Sequence, residues 1–268
     1  MKLSTYHAHS HYSDGKSSLE EMVVAAIEAG CPEIGFSDHS HIPGLSWCMD
    51  AEKIEEYHKA VCALREKYAG KIKIFVGIEQ DTYSTTPTDS YDYVLGSVHA
   101  VMTEGGRRDV DASATFVRET IDKYFGGDPY AYCEAYYDEV GRLYEKTHCD
   151  IIGHFDLVTK YIEKDPLFSE DHPRYVAARD AALRKLLSTS AVFEANTGAI
   201  SRGYRTTPYP HPDVVKRIVE AGKPMVVNSD SHCKDTVNFK IDSVGEELRA
   251  RGVKLLCTLD EVLNHTRK

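Results

Sequence analysis

The opening of the chain, Tyr6-His7-Ala8-His9-Ser10-His11-Tyr12-Ser13-Asp14-Gly15, concentrates side chains that bind cations. It follows a short β-like run, residues 3–6. Alternate residues of a strand point to the same side, so His7 and His9 present two imidazoles to one point. Asp14 follows after a turn into Gly15. Imidazole is the commonest protein ligand for zinc and similar ions, and a carboxylate adds negative charge. A His-x-His pair is weak evidence alone, and the weight lies in what the rest of the chain adds.

Those additions sit on a regular pattern. Short apolar runs alternate with amphipathic helices. Strands are expected over 3–6, 33–37, 72–78, 91–98, 149–153, 191–196 and 224–229, with a short one at 253–256. Helices are expected from Ser17 or Ser18 to Gly30, then over 51–69, 113–125, 129–147, 173–189, 212–221 and 241–251, with a closing helix after 256. Residues 103–112 are polar and Gly-rich and read as a mobile loop. The alternation argues for a parallel sheet.

The chemistry-bearing residues fall at the C-terminal ends of these strands. They are His7 with His9, His39, Glu79, His99, His154, and Asp230 with His232. In a closed (β/α) barrel these ends converge on one mouth, where active sites lie. In an open sheet they would spread along a line. The expected fold is therefore α/β, a barrel in one domain over 1–268, with a metal site at the C-terminal face of the strands.

Composition bounds the rest. Lys plus Arg number 32 against 42 Asp plus Glu, a formal charge of −10. That disfavours a nucleic-acid partner, whose phosphates demand cations. None of the seven Cys forms Cys-x-x-Cys, so neither a disulfide framework nor a Cys-type zinc site is expected. Met1-Lys2-Leu3-Ser4 leads straight into the motif without an apolar signal region. No run of eighteen apolar residues suggests a membrane span. A cytoplasmic protein with reduced thiols is expected.

His7-Ala8-His9 with Asp14-Gly15, Ser37-Asp38-His39, Gly77-Ile78-Glu79, Ser97-Val98-His99, Gly153-His154-Phe155-Asp156 and Ser229-Asp230-Ser231-His232 resemble, in order and spacing, the motifs of the PHP (polymerase and histidinol phosphatase) superfamily. The resemblance covers nearly the whole chain and is closest to the histidinol-phosphatase branch. It implies a distorted (β/α)7 TIM-like barrel and two to three divalent ions. Carried over by residue, one ion would be held by His7, His9, Glu79 and Asp230. A second would be held by Glu79, His99 and His154, and a third by Asp14, His39 and His232. Asp14 stands where some members carry His, which keeps a ligand and favours manganese, iron or zinc.

Clustered ions suit phosphomonoester hydrolysis, because they activate water and neutralise a phosphoryl group. Asp230 or His232 could assist proton transfer to the leaving alkoxide. Arg202, Arg205 and Lys160 are candidate phosphate binders; the branch often has Arg near Lys160. Glu104, Asp109 or Asp111 could meet a substrate amine. His11 and His41 are expected near the site, His211 could reach the mouth, and His58, His148, His172 and His265 are not expected there. The implied substrate is a small phosphorylated metabolite, L-histidinol phosphate first. Other phosphomonoesters or nucleotides, a nuclease activity, and a non-catalytic metal-binding domain stand as alternatives.

Overall fold

A computed structural model describes residues 2–267. The strands are β1 (Glu33–Phe36), β2 (Lys73–Asp81), β3 (Tyr93–Ser97), β4 (Ala100–Thr103), β5 (Gly106–Asp109), β6 (Ile151–Ile152), β7 (Val192–Asn196) and β8 (Met225–Asn228). Six of them form one curled parallel sheet in the order β1-β2-β3-β6-β7-β8. The helices are α1 (Leu19–Glu28), α2 (Ile54–Lys67), α3 (Ala114–Tyr124), α4 (Pro129–Val140), α5 (Leu143–Thr147), α6 (Pro173–Leu187), α7 (Gly198–Ser201), α8 (Pro212–Glu220), α9 (Ile241–Ala250) and α10 (Leu259–Thr266).

Parallel strands are buried on both faces, and β1, β3, β7 and β8 are buried at every position. An inner cluster of Tyr6, Tyr93, Leu95, Ile151, Val192 and Val226 fills the space enclosed by the sheet, and Leu256, Leu259 and Val262 join it. Tyr93 is wholly buried there, and its hydroxyl donates to the carbonyls of Tyr6, 2.6 Å, and Phe36, 3.2 Å. A larger cluster joins the outer sheet face to the helices.

Four expectations are corrected. Residues 3–6 form no extended strand. The segment instead touches both edges of the sheet through single bridges, Thr5 to Ile34 and Ala8 to Ser231. Its hydrogen bonds are Gly35 N to Thr5 O, 2.8 Å, and His9 N to Ser231 O, 2.8 Å. Residues 103–112 are not a structureless loop, because β4 and β5 pair as an antiparallel hairpin. The helix expected over 129–147 breaks at Gly141 into α4 and α5. The short strand at 253–256 is one bridge, Met225 to Leu255.

Helix ends follow the sequence signals. Ser18, not Ser17, caps α1, with Glu21 completing a capping box. No helix among the described residues is long and apolar enough to cross a membrane. All seven cysteines are unpaired.

Candidate metal centre

The opening motif is held in shape by Asp38. Its buried carboxylate accepts from Ser10 N (2.8 Å), Ser10 Oγ (2.9 Å), Ser13 N (3.1 Å) and Ser13 Oγ (2.6 Å). The chain then folds back so tightly that a Cβ on Gly15 would lie 2.6 Å from Ser10 N. This turn brings Asp14 back over His9.

Glu79 lies at the centre of the cluster and is fully buried. Its Oε2 is 2.8 Å from His39 Nδ1, 3.4 Å from His7 Nε2 and 3.6 Å from His9 Nε2. Its Oε1 is 3.0 Å from His154 Nε2 and 3.3 Å from His99 Nε2. Asp230 Oδ1 lies 3.3 Å from His9 Nε2, 3.6 Å from His7 Nε2 and 3.6 Å from His232 Nδ1. Asp14 closes the group, with Oδ2 3.3 Å from His232 Nε2 and Oδ1 3.6 Å from His39 Nε2. All nine sequence-named ligand candidates are thus brought together.

The donor set fits divalent ions. Two ligand atoms each about 2.0–2.2 Å from a tetrahedral ion stand roughly 3.3–3.6 Å apart, close to most of these separations. His7 Nε2 and both ring nitrogens of His9 are buried with no hydrogen-bond partner among the described residues. Buried polar atoms are ordinarily paired, and unpaired ones pointing inward are what a cation site leaves behind. The ligand atoms form four overlapping groups: His9-Asp14-His39-His232, His7-His9-Asp230, His7-Glu79-His154 and His39-Glu79-His99. His9, His7 and His39 are each shared between groups, which the ligand sets implied by resemblance did not anticipate.

Electrostatics keep the carboxylates ionised. Burial opposes ionisation of Glu79, but the imidazoles of His39, His7 and His99 outweigh it and hold its carboxyl well below the usual range. Burial, aided by His232 and His39, pushes His9 down to about 3, so it stays a neutral imidazole, the form that coordinates.

Two buried carboxylates support the ligands from behind, and sequence reading gave neither a role. Glu194 accepts from His7 Nδ1 (3.0 Å), His154 N (2.6 Å), Asn196 Nδ2 (2.8 Å) and Asn228 Nδ2 (2.9 Å). Asp81 lies 3.0 Å from His99 Nδ1 and accepts from both terminal nitrogens of Arg107, 3.1 and 3.2 Å. Such partners orient ligating imidazoles and raise their basicity. Glu194→Gln puts an amide donor among four N–H donors. It should weaken zinc binding by about 10–100-fold, measured by titrating metal-stripped protein against a competing chelator. An unchanged affinity would reject the supporting role.

Beside the cluster opens a cavity of about 370 Å³ whose lining includes Trp47, Asp109, Asp111, Lys160, Arg202 and Tyr204. Arg202 reaches Asp230 through Nη2 to Oδ2, 2.9 Å, and Nη1 to the carbonyl, 2.8 Å. Gly198 permits this approach, since a Cβ there would lie 2.7 Å from Asp230 Oδ2. Lys160 Nζ donates to Asp111 Oδ2, 3.1 Å. Arg205 does not line the cavity. It is buried, donates to Thr159 O, 3.0 Å, and braces the loop that carries Arg202. Glu104 is exposed at the hairpin turn, His211 caps α8 and His11 is exposed. His41 Nδ1 lies 3.0 Å from the carbonyl of Met49.

Fold and site together define an α/β protein with a histidine- and carboxylate-built centre suited to metal binding, at the C-terminal ends of parallel strands. The chain belongs to the PHP domain family, whose profile matches residues 5–199. It is 29% identical over 245 residues to a "Probable histidinol-phosphatase" of Deinococcus radiodurans, covering 87% of this chain and 86% of that protein. A protein of the same name from Schizosaccharomyces pombe is 23% identical over 281 residues, covering 95% and 89%. The fold is similar to that of histidinol phosphate phosphatase from Lactococcus lactis, solved with zinc, L-histidinol and phosphate. The TM-score is 0.73 with 22% identity, and 95% of each chain is covered.

Proposed function

We propose that this protein is a metal-dependent phosphomonoesterase that hydrolyses L-histidinol phosphate to L-histidinol and phosphate. The observation that carries it is the convergence of nine imidazole and carboxylate side chains, with unpaired inward-facing atoms, beside a cavity walled by Arg202 and Lys160. The names of the relatives matched over most of the chain support the same substrate. The segment around residues 5–9 acts as a seventh stave that closes the barrel, and residues 2–267 act as one domain. Lys2 and Leu3 bind Asp242, and Arg267 binds Asp150, which ties both ends to the same body.

His7, His9, Asp14, His39, Glu79, His99, His154, Asp230 and His232 would hold two to three divalent ions (zinc, manganese or iron). Bound there, such ions supply Lewis acidity, a water of lowered pKa and charge neutralisation for the phosphoryl group. Arg202 and Lys160 bind phosphate oxygens, Arg202 through its planar fork and Lys160 as a point charge. The arriving phosphate competes with Asp230 and Asp111 for these cations. In this reading Asp230 and His232 pass the proton given up by the attacking water to the leaving alkoxide as the phosphorus–oxygen bond breaks. The products are the free alcohol and phosphate.

Phosphate release from L-histidinol phosphate should be chelator-sensitive, restored by manganese or zinc, and faster than from a nucleoside monophosphate or an aryl phosphate. Turnover of only the latter two would keep the metal chemistry and discard the substrate. No turnover by folded, metal-loaded protein would leave a metal-binding domain.

A further inference from the structure

Trp47 stands at the edge of the histidine cluster without being a ligand. It is the chain's only tryptophan, is half-buried and lines the cavity. Its ring meets His39 edge-on, with centroids 4.7 Å apart, and His99 at 5.5 Å. The guanidinium of Arg107 lies 5.4 Å from the indole centroid. Arg107 is itself fixed, by Asp81 through both terminal nitrogens and by Asp109 through Nε at 2.8 Å. One side of the tryptophan's surroundings is therefore set by two candidate metal ligands, and another by a half-buried ion-pair network.

The other non-imidazole aromatic side chain of the lining is Tyr204, and the cation beside it is the Lys160 ammonium assigned to the phosphate. Tyr204 has Lys160 Nζ 5.0 Å from its centroid and Tyr161 against it at 5.4 Å. The imidazoles face Glu79, Asp14 and Asp230. Trp47 provides the remaining aromatic surface among the described lining residues. The charge beside it is favourable to a cation, because two carboxylates, Asp81 and Asp109, share one guanidinium. Aromatic rings and cations both bind indole well.

We propose that Trp47 is the specificity-determining surface for the leaving alcohol, and that Arg107 is the positioning residue that holds it. Trp47 receives a flat imidazole-like ring at the edge of the cluster, so that the phosphate end reaches the candidate ligands. This assignment rests on the histidinol-phosphate reading of the same site. A phosphate ester lacking the ring binds the phosphate end alone.

Two measurements test it. The first is intrinsic fluorescence of the metal-loaded protein, in which the single tryptophan is the reporter. L-Histidinol should change the emission saturably, and L-alaninol, an amino alcohol without the ring, should not. No response to L-histidinol, or equal responses to both, overturns the assignment. The second is the ratio of kcat/KM for L-histidinol phosphate to that for glycerol phosphate. Trp47→Leu should lower this ratio about tenfold or more, chiefly through KM for the ring-bearing ester. Trp47→Phe should keep most of it, and Arg107→Met should reproduce the loss. A ratio that survives Trp47→Leu overturns the role of Trp47, and one that survives Arg107→Met overturns the positioning role. If the native protein shows no preference for L-histidinol phosphate over glycerol phosphate, the substrate reading falls and takes the assignment with it.

Discussion

Glu79→Gln should leave a folded protein that binds fewer ions and turns over at least about 10³-fold more slowly. Both oxygens of Glu79 face imidazoles, three on Oε2 and two on Oε1. It is the one carboxylate that belongs to two of the four ligand groups, those of His7-Glu79-His154 and His39-Glu79-His99. An amide of the same shape keeps the packing and the strand pairing. It replaces one acceptor oxygen with a donor that cannot ligate, and it removes the negative charge that offsets neighbouring cations. Several kcal/mol of transition-state stabilisation depend on such a centre, and about 4 kcal/mol corresponds to about 10³-fold in rate. Metal content per chain by atomic emission and the rise in Tm on metal addition should fall together. Ligand at about 100 times its Kd stabilises by about 2.7 kcal/mol, and that increment should shrink in the variant. Full metal content with native turnover would remove Glu79 from the centre.

The ligand candidates were legible because strand periodicity and the ends of apolar runs are local properties of a sequence. His7 and His9 alternate on one run, and the other candidates follow short apolar runs that the structure shows as β1, β2, β3, β6 and β8. The supporting groups were less legible, although two of them left a trace. Glu194 is a charge inside the otherwise buried run Val192-Phe193-Glu194-Ala195-Asn196, and an unpaired charge there would be costly. Asp81 stands two residues after Glu79 on the same strand face, because β2 runs on past the expected end of the strand at 78. Trp47 left no trace, since its place depends on how the loop after His39 drapes over the cluster.

The hairpin of β4 and β5 was misread for a related reason. A hairpin is signalled by alternating apolar residues, but this one is held largely by ion pairs and cation–aromatic contacts. Arg107 binds Asp81 and Asp109, and the guanidinium of Arg108 lies 4.0 Å from the ring centroid of Phe116. Asp81 and Phe116 lie outside the segment, so it looks like a solvated polar loop until the chain is folded. The same holds for Arg205. Its sequence position beside Arg202 suggested a shared task, whereas the turn between them sends one to the cavity and the other against Thr159.

Asp230→Asn should be nearly as damaging as loss of Glu79, and it separates two roles that geometry alone combines. Asp230 has φ +48°, a left-handed conformation that Asn tolerates about as well as Asp, so the substitution adds little backbone strain where Ala would add more. The side chain keeps its shape but loses its charge. Oδ1 then faces His7, His9 and His232 as an amide, and Arg202 loses the carboxylate that holds its Nη2 at 2.9 Å. Turnover should fall by about 10³-fold at ambient metal. Raising zinc or manganese until occupancy is restored then divides the outcomes. If turnover returns with the metal, Asp230 serves as a ligand alone. If occupancy returns and turnover does not, the carboxylate also handles the proton or fixes Arg202 against the phosphate, and Arg202→Lys should then show a comparable defect in KM. A variant as active as the native protein at ambient metal would reject both roles and place the proton transfer on His232.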